Sequence, residues 1–144
     1  MKRLLLDTGP LVALLSARDT WHAWAVETFS ELRGPLTTCE AVLTETCHLL
    51  RGSPAAVAAV LRRVDEGVLR VEPMAGHAAD LSKLMMKYQS VPMSLADACL
   101  VRLAEVHSEC EVITLDSDFH VYRRNGRRLI PVRSPVRFRA KTRS

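Results

Sequence analysis

The sequence predicts an α/β protein in which helices flank a central, mostly parallel β-sheet of four to five strands. Short apolar runs alternate with longer segments of helical periodicity, an order typical of parallel strands joined by helices. The first run, residues 4–6, is apolar at every position, as expected of a strand buried on both faces. Only 5% of the 144 residues are aromatic, and the abundance of Ala, Leu and Val favours helices on a buried sheet over an all-β sandwich. The length corresponds to one domain.

Five short runs of apolar and β-branched residues are the predicted strands. Glycine and proline bound several of them. Gly9-Pro10 turns the chain from the first strand into a short helix that ends at Leu15, and Gly34-Pro35 precedes the second strand. The predicted strands are residues 3–7, 35–38, 68–71, 111–115 and 129–132.

The longer segments are predicted helices, and several begin at residues that favour helix N-termini. Asp19 or Thr20 is expected to cap the second helix, and Ser94 the last long one. Thr37-x-x-Glu40 matches a capping box and is expected to open the third. After the short first helix, the predicted helices are residues 20–32, 39–50, 54–66, 76–88 and 94–107, with a helical turn at 118–123.

The cysteines and the N-terminal residues indicate the cellular compartment. Cys39, Cys47, Cys99 and Cys110 contain no C-x-x-C pair, so we expect reduced, mostly buried thiols. The apolar N-terminus loosely resembles a signal peptide, but Asp7 lies within what would be its apolar core. No apolar run is long enough to span a bilayer. A soluble cytoplasmic protein is therefore expected.

Charge is distributed unevenly along the chain. The formal net charge is +4, yet residues 119–144 contain nine of the 20 basic residues and none of the 16 acidic ones. We expect a domain at residues 1–132 and a basic extension at 133–144. An acidic body with a basic end suits a site that holds metal cations beside an arm that attracts phosphates. A solvated tail that only aids solubility is the alternative.

Four acidic residues are the candidate functional groups. Asp7 and Asp116 follow predicted strands, and ligands of parallel sheets bind beyond the carboxyl ends of the strands. Glu45 and Asp97 lie within otherwise apolar helices. Converging carboxylates repel one another unless cations intervene, and oxygen-only clusters suit Mg²⁺ or Mn²⁺. Such ions activate water for attack on a phosphodiester, which indicates a nuclease.

Each of these acids also has a purely structural interpretation. Asp7 could cap a turn or helix, Asp97 could complete a capping box with Ser94, and Asp116 or Asp118 could cap the short helix that follows. Glu45 could be a rim residue that reaches water. The joint placement of the four acids, rather than any one of them, favours the metal site.

The acids occur in motifs that resemble those of PIN domains. The Ser-Leu-Ala-Asp-Ala segment at 94–98 and the Thr-x-Asp-x-Asp-Phe segment at 114–119 are the more specific pieces. Asp-Thr-Gly at 7–9 alone would be a weak signal, and Gly9 stands where members of the family often have Asn or Ser. The matching segments, in the family's order and spacing, are 7–14, 42–45, 93–98 and 114–119.

The resemblance spans about residues 3–131 and implies a PIN-like fold with Mg²⁺- or Mn²⁺-dependent endoribonuclease activity. It further implies a homodimer and, at this size, a VapC-type toxin silenced by a VapB-like antitoxin. The acidic site that it implies is Asp7, Glu45, Asp97 and Asp116, with Asp118 as a further candidate ligand. Thr114 would place a hydroxyl near the metal and Thr8 would orient Asp7.

Beyond the family motifs, the candidate mechanism uses one or two metal ions held by Asp7, Asp97 and Asp116. Glu45 either joins them as a ligand or orients the attacking water. The candidate residues that would grip RNA phosphates are Arg123, Arg124, Arg127 and Arg128.

Parts of the sequence are also compatible with three other functions. Asp-Thr-Gly also occurs in aspartic proteases, but those are all-β and need a second copy of the motif. A phosphatase with a nucleophilic Asp at the end of its first strand would need a second acid where Gly9 stands. The serious alternative is a non-catalytic PIN-like domain that binds RNA or a protein partner, although all four acidic positions are filled here.

Overall fold

A five-stranded, fully parallel sheet forms the centre of the computed structural model, which describes residues 2–136. Two further strands, β5 (Arg123–Arg124) and β6 (Arg128–Leu129), form a separate antiparallel hairpin. The sheet strands are β1 (Arg3–Leu6), β2 (Leu36–Thr38), β3 (Leu69–Val71), β4 (Cys110–Ile113) and β7 (Val132–Arg133). Their order in space is β3-β2-β1-β4-β7. The predicted fold class is confirmed.

Within residues 2–136, six α-helices connect and cover the strands. Two short 3₁₀ helices, Ala75–His77 and Ser117–His120, lie before the fifth helix and after β4. The α-helices are α1 (Thr8–Leu15), α2 (His22–Glu31), α3 (Glu40–Leu49), α4 (Pro54–Asp65), α5 (Ala78–Lys87) and α6 (Leu95–Val106).

Alternate residues of β1 pack into two separate cores, one on each face of the sheet. Leu4 and Leu6 share one core with Leu11 of α1, while Leu5 belongs to the other core with Leu100 of α6. Successive side chains of a strand point to opposite faces. A strand covered on both sides must therefore be apolar throughout, which is why the run at residues 4–6 has no polar position.

The last predicted strand divides into two. The prediction of a single strand at 129–132, preceded by a helical turn at 118–123, missed the hairpin of β5 and β6. Asn125 and Gly126 both have positive φ angles and make the connection. An Asn-Gly pair is a strong hairpin signal because these residues tolerate that conformation. Pro131 then separates β6 from β7.

The capping box predicted at Thr37 and Glu40 is wrong. Thr37 lies inside β2, where it is opposite Leu5 of β1 in the parallel register. Cys39 is the N-cap of α3, and no side-chain hydrogen bond caps that helix. Strand pairing on both sides of β2 decides the position of Thr37, and it overrides the local helix-start pattern.

Of the other predicted caps, one is confirmed and one is wrong. Ser94 Oγ accepts a hydrogen bond from the backbone N–H of Asp97, 3.0 Å away, and caps α6. Asp19 does not cap α2, which begins at His22. Its carboxylate instead accepts the N–H of Trp21 at 2.9 Å and closes the turn that precedes the helix.

The C-terminal strand crosses the predicted domain boundary. Arg133, the first residue of the predicted basic extension, belongs to β7, and its Nε lies 2.9 Å from Glu111 Oε1 on β4. Residues 137–144 of that extension lie outside the described residues. The division into residues 1–132 and 133–144 stays a prediction.

The cysteines have the predicted state. All four are free thiols, and Cys39, Cys99 and Cys110 are buried. Among residues 2–136 no helix has the length and apolar character needed to cross a bilayer.

Candidate metal centre

The four predicted acids line one cleft of about 260 Å³ at the carboxyl end of the sheet. Asp7 follows β1 and Asp116 lies three residues beyond β4, two strands that are neighbours in the sheet. The first turn of α6 contributes Asp97 and the middle of α3 contributes Glu45. The remaining lining residues are Thr8, Gly9, Leu49 and Leu115.

Asp7 is the most deeply placed of these acids. Both of its oxygens are engaged: Oδ1 accepts the N–H of Thr8 at 2.8 Å, and Oδ2 accepts the hydroxyl of Thr114 at 2.7 Å. Burial raises the pKa of Asp7 to about 7; the two hydrogen bonds oppose the rise, and repulsion from Asp97 and Asp116 adds to it. The charged form of Asp7 is therefore costly unless a cation lies nearby.

Thr114 connects two of the acids. Its hydroxyl donates to Asp7 Oδ2 and accepts the backbone N–H of Asp116 at 2.9 Å. The side chain is fully buried. Thr114 therefore lies beside the acidic residues, as predicted. Its one hydroxyl connects the residue that follows β1 to the segment that follows β4.

Asp97 is held from two directions. The hydroxyl of Tyr122 donates to Asp97 Oδ2 at 2.8 Å, and Ser94 at the start of α6 supplies further hydrogen bonds. Burial raises the pKa of Asp97; the Tyr122 hydrogen bond opposes the rise, while the charge of Asp116 adds to it. The Asp97 carboxylate therefore takes part in the helix cap and also lines the cleft, so the two interpretations are compatible.

Asp116 also combines a cap with a place in the cleft. Its Oδ1 accepts the N–H of Asp118 at 2.9 Å and so begins the 3₁₀ helix Ser117–His120. Asp118, the further candidate ligand, is not among the residues that line the cleft. Burial, followed by repulsion from Asp116 and Asp97, raises the pKa of Asp118. The charge of Asp118 therefore acts on the cleft from just outside it.

Glu45 differs from the three aspartates because it is exposed to solvent. It lies on α3, which packs against both α1 and α6, and it lines the cleft from the outer side. It is both a rim residue that reaches water, as one interpretation held, and part of the acidic group.

Thr8 and Gly9 form the wall of the cleft at the start of α1. Thr8 contacts the Asp7 carboxylate through its backbone N–H rather than through its hydroxyl, and its predicted role in orienting Asp7 stays a prediction. Thr8 Oγ1 is buried and lacks a hydrogen-bond partner. A Cβ on Gly9 would lie 3.1 Å from the Leu115 side chain, so glycine allows α1 to approach the segment after β4 closely.

No basic side chain within residues 2–136 forms an ion pair with a cleft carboxylate. Partial compensation comes from helix starts, since Asp7 begins α1 and Asp97 lies in the first turn of α6. Helix N-termini favour negative charge, but only by about 0.3–1 kcal/mol each at exposed sites. The described residues therefore leave the negative charge of the cleft largely unbalanced.

These residues fit a hydrated divalent cation. The donors are all oxygens, as Mg²⁺ and Mn²⁺ prefer, and the unpartnered hydroxyl of Thr8 is buried in the same wall. Within the described part of the chain, no three acidic, histidine or cysteine side chains already converge on one point. Mg²⁺ commonly uses one or two carboxylates and keeps several waters, so such convergence is not required.

The structure excludes Arg124 from the predicted phosphate contacts. This side chain is only 8% exposed, and its Nη1 donates to the carbonyls of Ala104 and Ser108 at 3.2 and 3.0 Å and to Cys110 Sγ at 3.4 Å. The guanidinium joins the end of α6 to β4 and the hairpin. The prediction was wrong for Arg124 because sequence position alone does not distinguish a buried arginine from an exposed one.

The other three predicted arginines differ in their exposure. Arg123 is half-buried and donates through Nη1 to the backbone carbonyls of residues 120–122. Arg127 and Arg128 lie at the exposed end of the hairpin. Of the four predicted arginines, Arg127 and Arg128 are the two whose side chains are exposed and form no hydrogen bond or ion pair within the described part of the chain.

Tyr122 is the residue at this site that the sequence did not indicate. It lies 25 positions from Asp97, and its hydroxyl approaches that carboxylate only when the chain folds after β4. An aromatic residue three positions beyond Phe119 has the pattern of an ordinary core residue. The sequence contains no signal that would distinguish its hydroxyl from that of a surface tyrosine.

Comparisons with known proteins agree with the fold. The PIN domain profile matches residues 4–125. The structure is similar to that of VapC20 from Mycobacterium tuberculosis, described as a toxin that cleaves the sarcin–ricin loop, with a TM-score of 0.74 and 27% identity. The alignment covers 82% of this chain and 93% of VapC20. No curated protein matches the sequence. The predicted resemblance is confirmed, and this chain belongs to the PIN-domain family.

Proposed function

We propose that this chain is a Mg²⁺- or Mn²⁺-dependent endoribonuclease and the toxin of a VapBC-type pair. The observation that carries the proposal is the cleft that Asp7, Asp97, Asp116 and Glu45 all line without a basic partner among the described residues. A buried carboxylate that no cation balances is costly, so its retention in a cleft indicates a charged ligand. The likeness to VapC20 supports RNA as the substrate.

The proposed role of each acidic residue follows from its position in the cleft. Asp7, Asp97 and Asp116 would hold one or two ions, and Glu45 would complete the set or orient the attacking water from its exposed position. The ion would supply Lewis-acid polarisation of the phosphodiester and a lower pKa for that water. Thr114 would hold the Asp7 carboxylate in one orientation, through its hydrogen bond, while negative charge develops on the phosphate during the reaction.

Water is the proposed nucleophile. The cleft lining, as the described residues define it, contains neither cysteine nor histidine, and no base activates the hydroxyl of Thr8. In-line attack by water would leave 5′-phosphate and 3′-hydroxyl ends. The chain contributes the geometry of the carboxylates and the placement of the RNA strand rather than a covalent intermediate.

The proposed partners follow from the same relationship. They are an RNA substrate, a cognate VapB-like antitoxin that silences the activity, and a second copy of this chain in a homodimer. The proposal of these partners rests on the VapC-type resemblance, which does not specify the RNA that is cleaved. Exposed Arg127 and Arg128 are proposed to contact RNA phosphates.

An RNA cleavage assay tests the proposal directly. A hairpin with the sarcin–ricin loop sequence and an unstructured RNA would be incubated with the chain in Mg²⁺, in Mn²⁺ and in EDTA. Cleavage is expected only with the metal and should disappear in Asp7→Asn. Asp65→Asn, which removes an exposed acid of α4 outside the cleft, is the matched control and should cleave like the parent.

The non-catalytic alternative makes a different prediction in the same assay. An RNA-binding domain would retain both RNAs on a gel without cutting either, whether or not metal is present. Binding without cleavage by a chain that is folded and loaded with metal would overturn the proposed function.

A further inference from the structure

Tyr122 is buried completely, and its hydroxyl points at one of the cleft acids. The side chain has 0% exposure, and the hydroxyl donates to Asp97 Oδ2 over 2.8 Å. A buried tyrosine hydroxyl ordinarily requires a partner. Here the partner is a carboxylate that lines the cleft, so one hydrogen bond connects the core of the protein to the site.

Aromatic neighbours fix the Tyr122 ring on two sides. Tyr88 meets it edge-on at a centroid distance of 5.0 Å and an interplanar angle of 69°, and Phe119 does so at 5.3 Å and 87°. The hydroxyl of Tyr88 also accepts the backbone N–H of Arg123, 2.8 Å away. The ring and the adjoining backbone are thus both held, and the Tyr122 hydroxyl has little freedom to leave Asp97.

The hydrogen bond leaves part of Asp97 available to a ligand. A carboxylate offers about four lone-pair positions. Tyr122 and Ser94 engage some of these positions from the protein side. The Asp97 side chain is consequently held in one orientation, with its remaining lone pairs open to the cleft that Asp7 and Asp116 also line.

We propose that Tyr122 is the positioning residue for Asp97 and thereby sets the affinity of the cleft for its divalent cation. The inference rests on the proposed function only in so far as Asp97 holds that cation. Tyr122 does not touch the ion or the RNA. It acts by preventing rotation of the Asp97 side chain, as hydrogen-bond partners of metal ligands commonly do.

Tyr122→Phe tests the role of the hydroxyl alone, and Tyr88→Phe is its matched control. Both variants delete one buried hydroxyl from the same aromatic cluster, but only the first loses a contact with Asp97. Mg²⁺ would be titrated calorimetrically into the RNA-free full-length chain. Loss of such a partner commonly weakens metal affinity about 10- to 100-fold, and this loss is expected for Tyr122→Phe and not for Tyr88→Phe.

Cleavage kinetics provide a second readout that a purely structural role would not change. The Tyr122→Phe chain should need more Mg²⁺ to reach half of its maximal rate, while its KM for RNA at saturating Mg²⁺ should equal that of the parent. Equal weakening of Mg²⁺ binding in both tyrosine variants would show a packing effect and overturn the inference.

Asp97→Asn separates failure of the inference from failure of the proposed function. If Asp97→Asn loses Mg²⁺ binding while Tyr122→Phe binds like the parent, the positioning role is wrong and the metal site stands. If the parent itself binds no Mg²⁺, the proposed function fails and the inference fails with it.

A measurement on the parent chain covers the case in which Tyr122→Phe does not fold. The Tyr122 hydroxyl proton is shielded from solvent and can be followed by ¹H NMR. It should shift as Mg²⁺ is added, with the same midpoint as the calorimetric titration. A resonance that does not move at saturating Mg²⁺ would contradict the proposed role.

Discussion

The acidic cleft and the arginine-rich hairpin of β5 and β6 carry charges of opposite sign, and these charges differ in their burial and in their side-chain partners. In the cleft, Asp7 and Asp97 are buried, and no basic side chain of the described residues balances them. In the hairpin, the guanidinium of buried Arg124 donates hydrogen bonds to two carbonyls and a thiol, while the side chains of Arg127 and Arg128 are exposed to solvent.

The difference shows how a functional charge can be distinguished from a structural one. Arg124 is a single buried cation whose Nη1 donates to acceptors on α6 and β4, although its Nε is buried without a hydrogen-bond partner. The cleft instead brings several carboxylates together, and within residues 2–136 no basic side chain forms an ion pair with them. Several like charges gathered in one cleft, rather than the burial of a single charge, therefore indicate the site.

The largest expected effect contrasts one residue from each region. Asp116→Asn should remain folded, because an amide oxygen can still accept the N–H of Asp118, but should cleave RNA at least about 100-fold more slowly. Arg124→Gln should lower the free energy of unfolding by about 3 kcal/mol, since it removes charge-assisted hydrogen bonds at a buried position. Activity per folded molecule should be retained in Arg124→Gln. The contrast would fail if Arg124→Gln were stable and inactive.

The next effect is a pH dependence of stability in the metal-free chain. The pKa of Asp7 is about 7 in the folded protein and 3.8 in the reference state, so the folded chain keeps a proton that the unfolded chain loses between these values. The associated stability is complete below about pH 4 and is lost as the pH rises through 7, a change on the order of a few kcal/mol. Urea unfolding in EDTA should show this decline in the parent, and a smaller one in Asp7→Asn.

Adding Mg²⁺ should change that profile in one direction only. A cation that binds the ionised carboxylates stabilises the folded chain most at high pH, so the decline should shrink with metal. Identical profiles for the parent and Asp7→Asn would contradict the assignment of the slope to the cleft.

A smaller effect comes from Thr114, the buried hydroxyl within the cleft. Thr114→Val preserves the shape but removes the donor to Asp7 and the acceptor for the Asp116 N–H, and it should cost about 1–3 kcal/mol of stability. Thr38→Val is the control, because Thr38 is equally buried but donates to the backbone carbonyl of Leu6. Both variants should lose stability, whereas only Thr114→Val should lose affinity for Mg²⁺ in calorimetry.

The smallest effect concerns the exposed end of the hairpin. Replacing Arg127 and Arg128 together by Gln should not alter stability, because neither exposed side chain forms a hydrogen bond or ion pair within residues 2–136. RNA binding should weaken, and the slope of log K against log salt should fall by about 1.4, near 0.7 for each phosphate contact with a single strand. Filter binding over a salt series measures both values. An unchanged slope would remove these two arginines from the RNA surface.

The sequence predicted the sheet and the acids because both depend on local pattern. A strand buried on two faces must be apolar throughout, so the apolar run at residues 4–6 predicts β1. Asp7 directly follows this run and is therefore predicted to lie at the end of the strand. The choice between cap and ligand could not be made from sequence. In the structure Asp7 and Asp116 both begin a helical segment and line the cleft, so the two descriptions are compatible.

The rest depended on contacts between distant parts of the chain. Thr37 matched a helix-start pattern but is paired within the sheet, and Arg124 looked like its exposed neighbours but is anchored on α6. Tyr122 acquires its partner only after β4 and α6 pack together. Side-chain partners of this kind leave no periodic signal, because periodicity reports which face is buried and not what a buried polar atom contacts.

The central claim is that the cleft carboxylates are balanced by a divalent cation. A crystal of the parent chain soaked in Mn²⁺ and measured for anomalous scattering tests it most directly, because the ion itself is located. The account predicts an anomalous peak in the cleft, coordinated by at least one of Asp7, Asp97 and Asp116. A cleft without a peak at saturating Mn²⁺, in a crystal that leaves it open to solvent, would contradict the account.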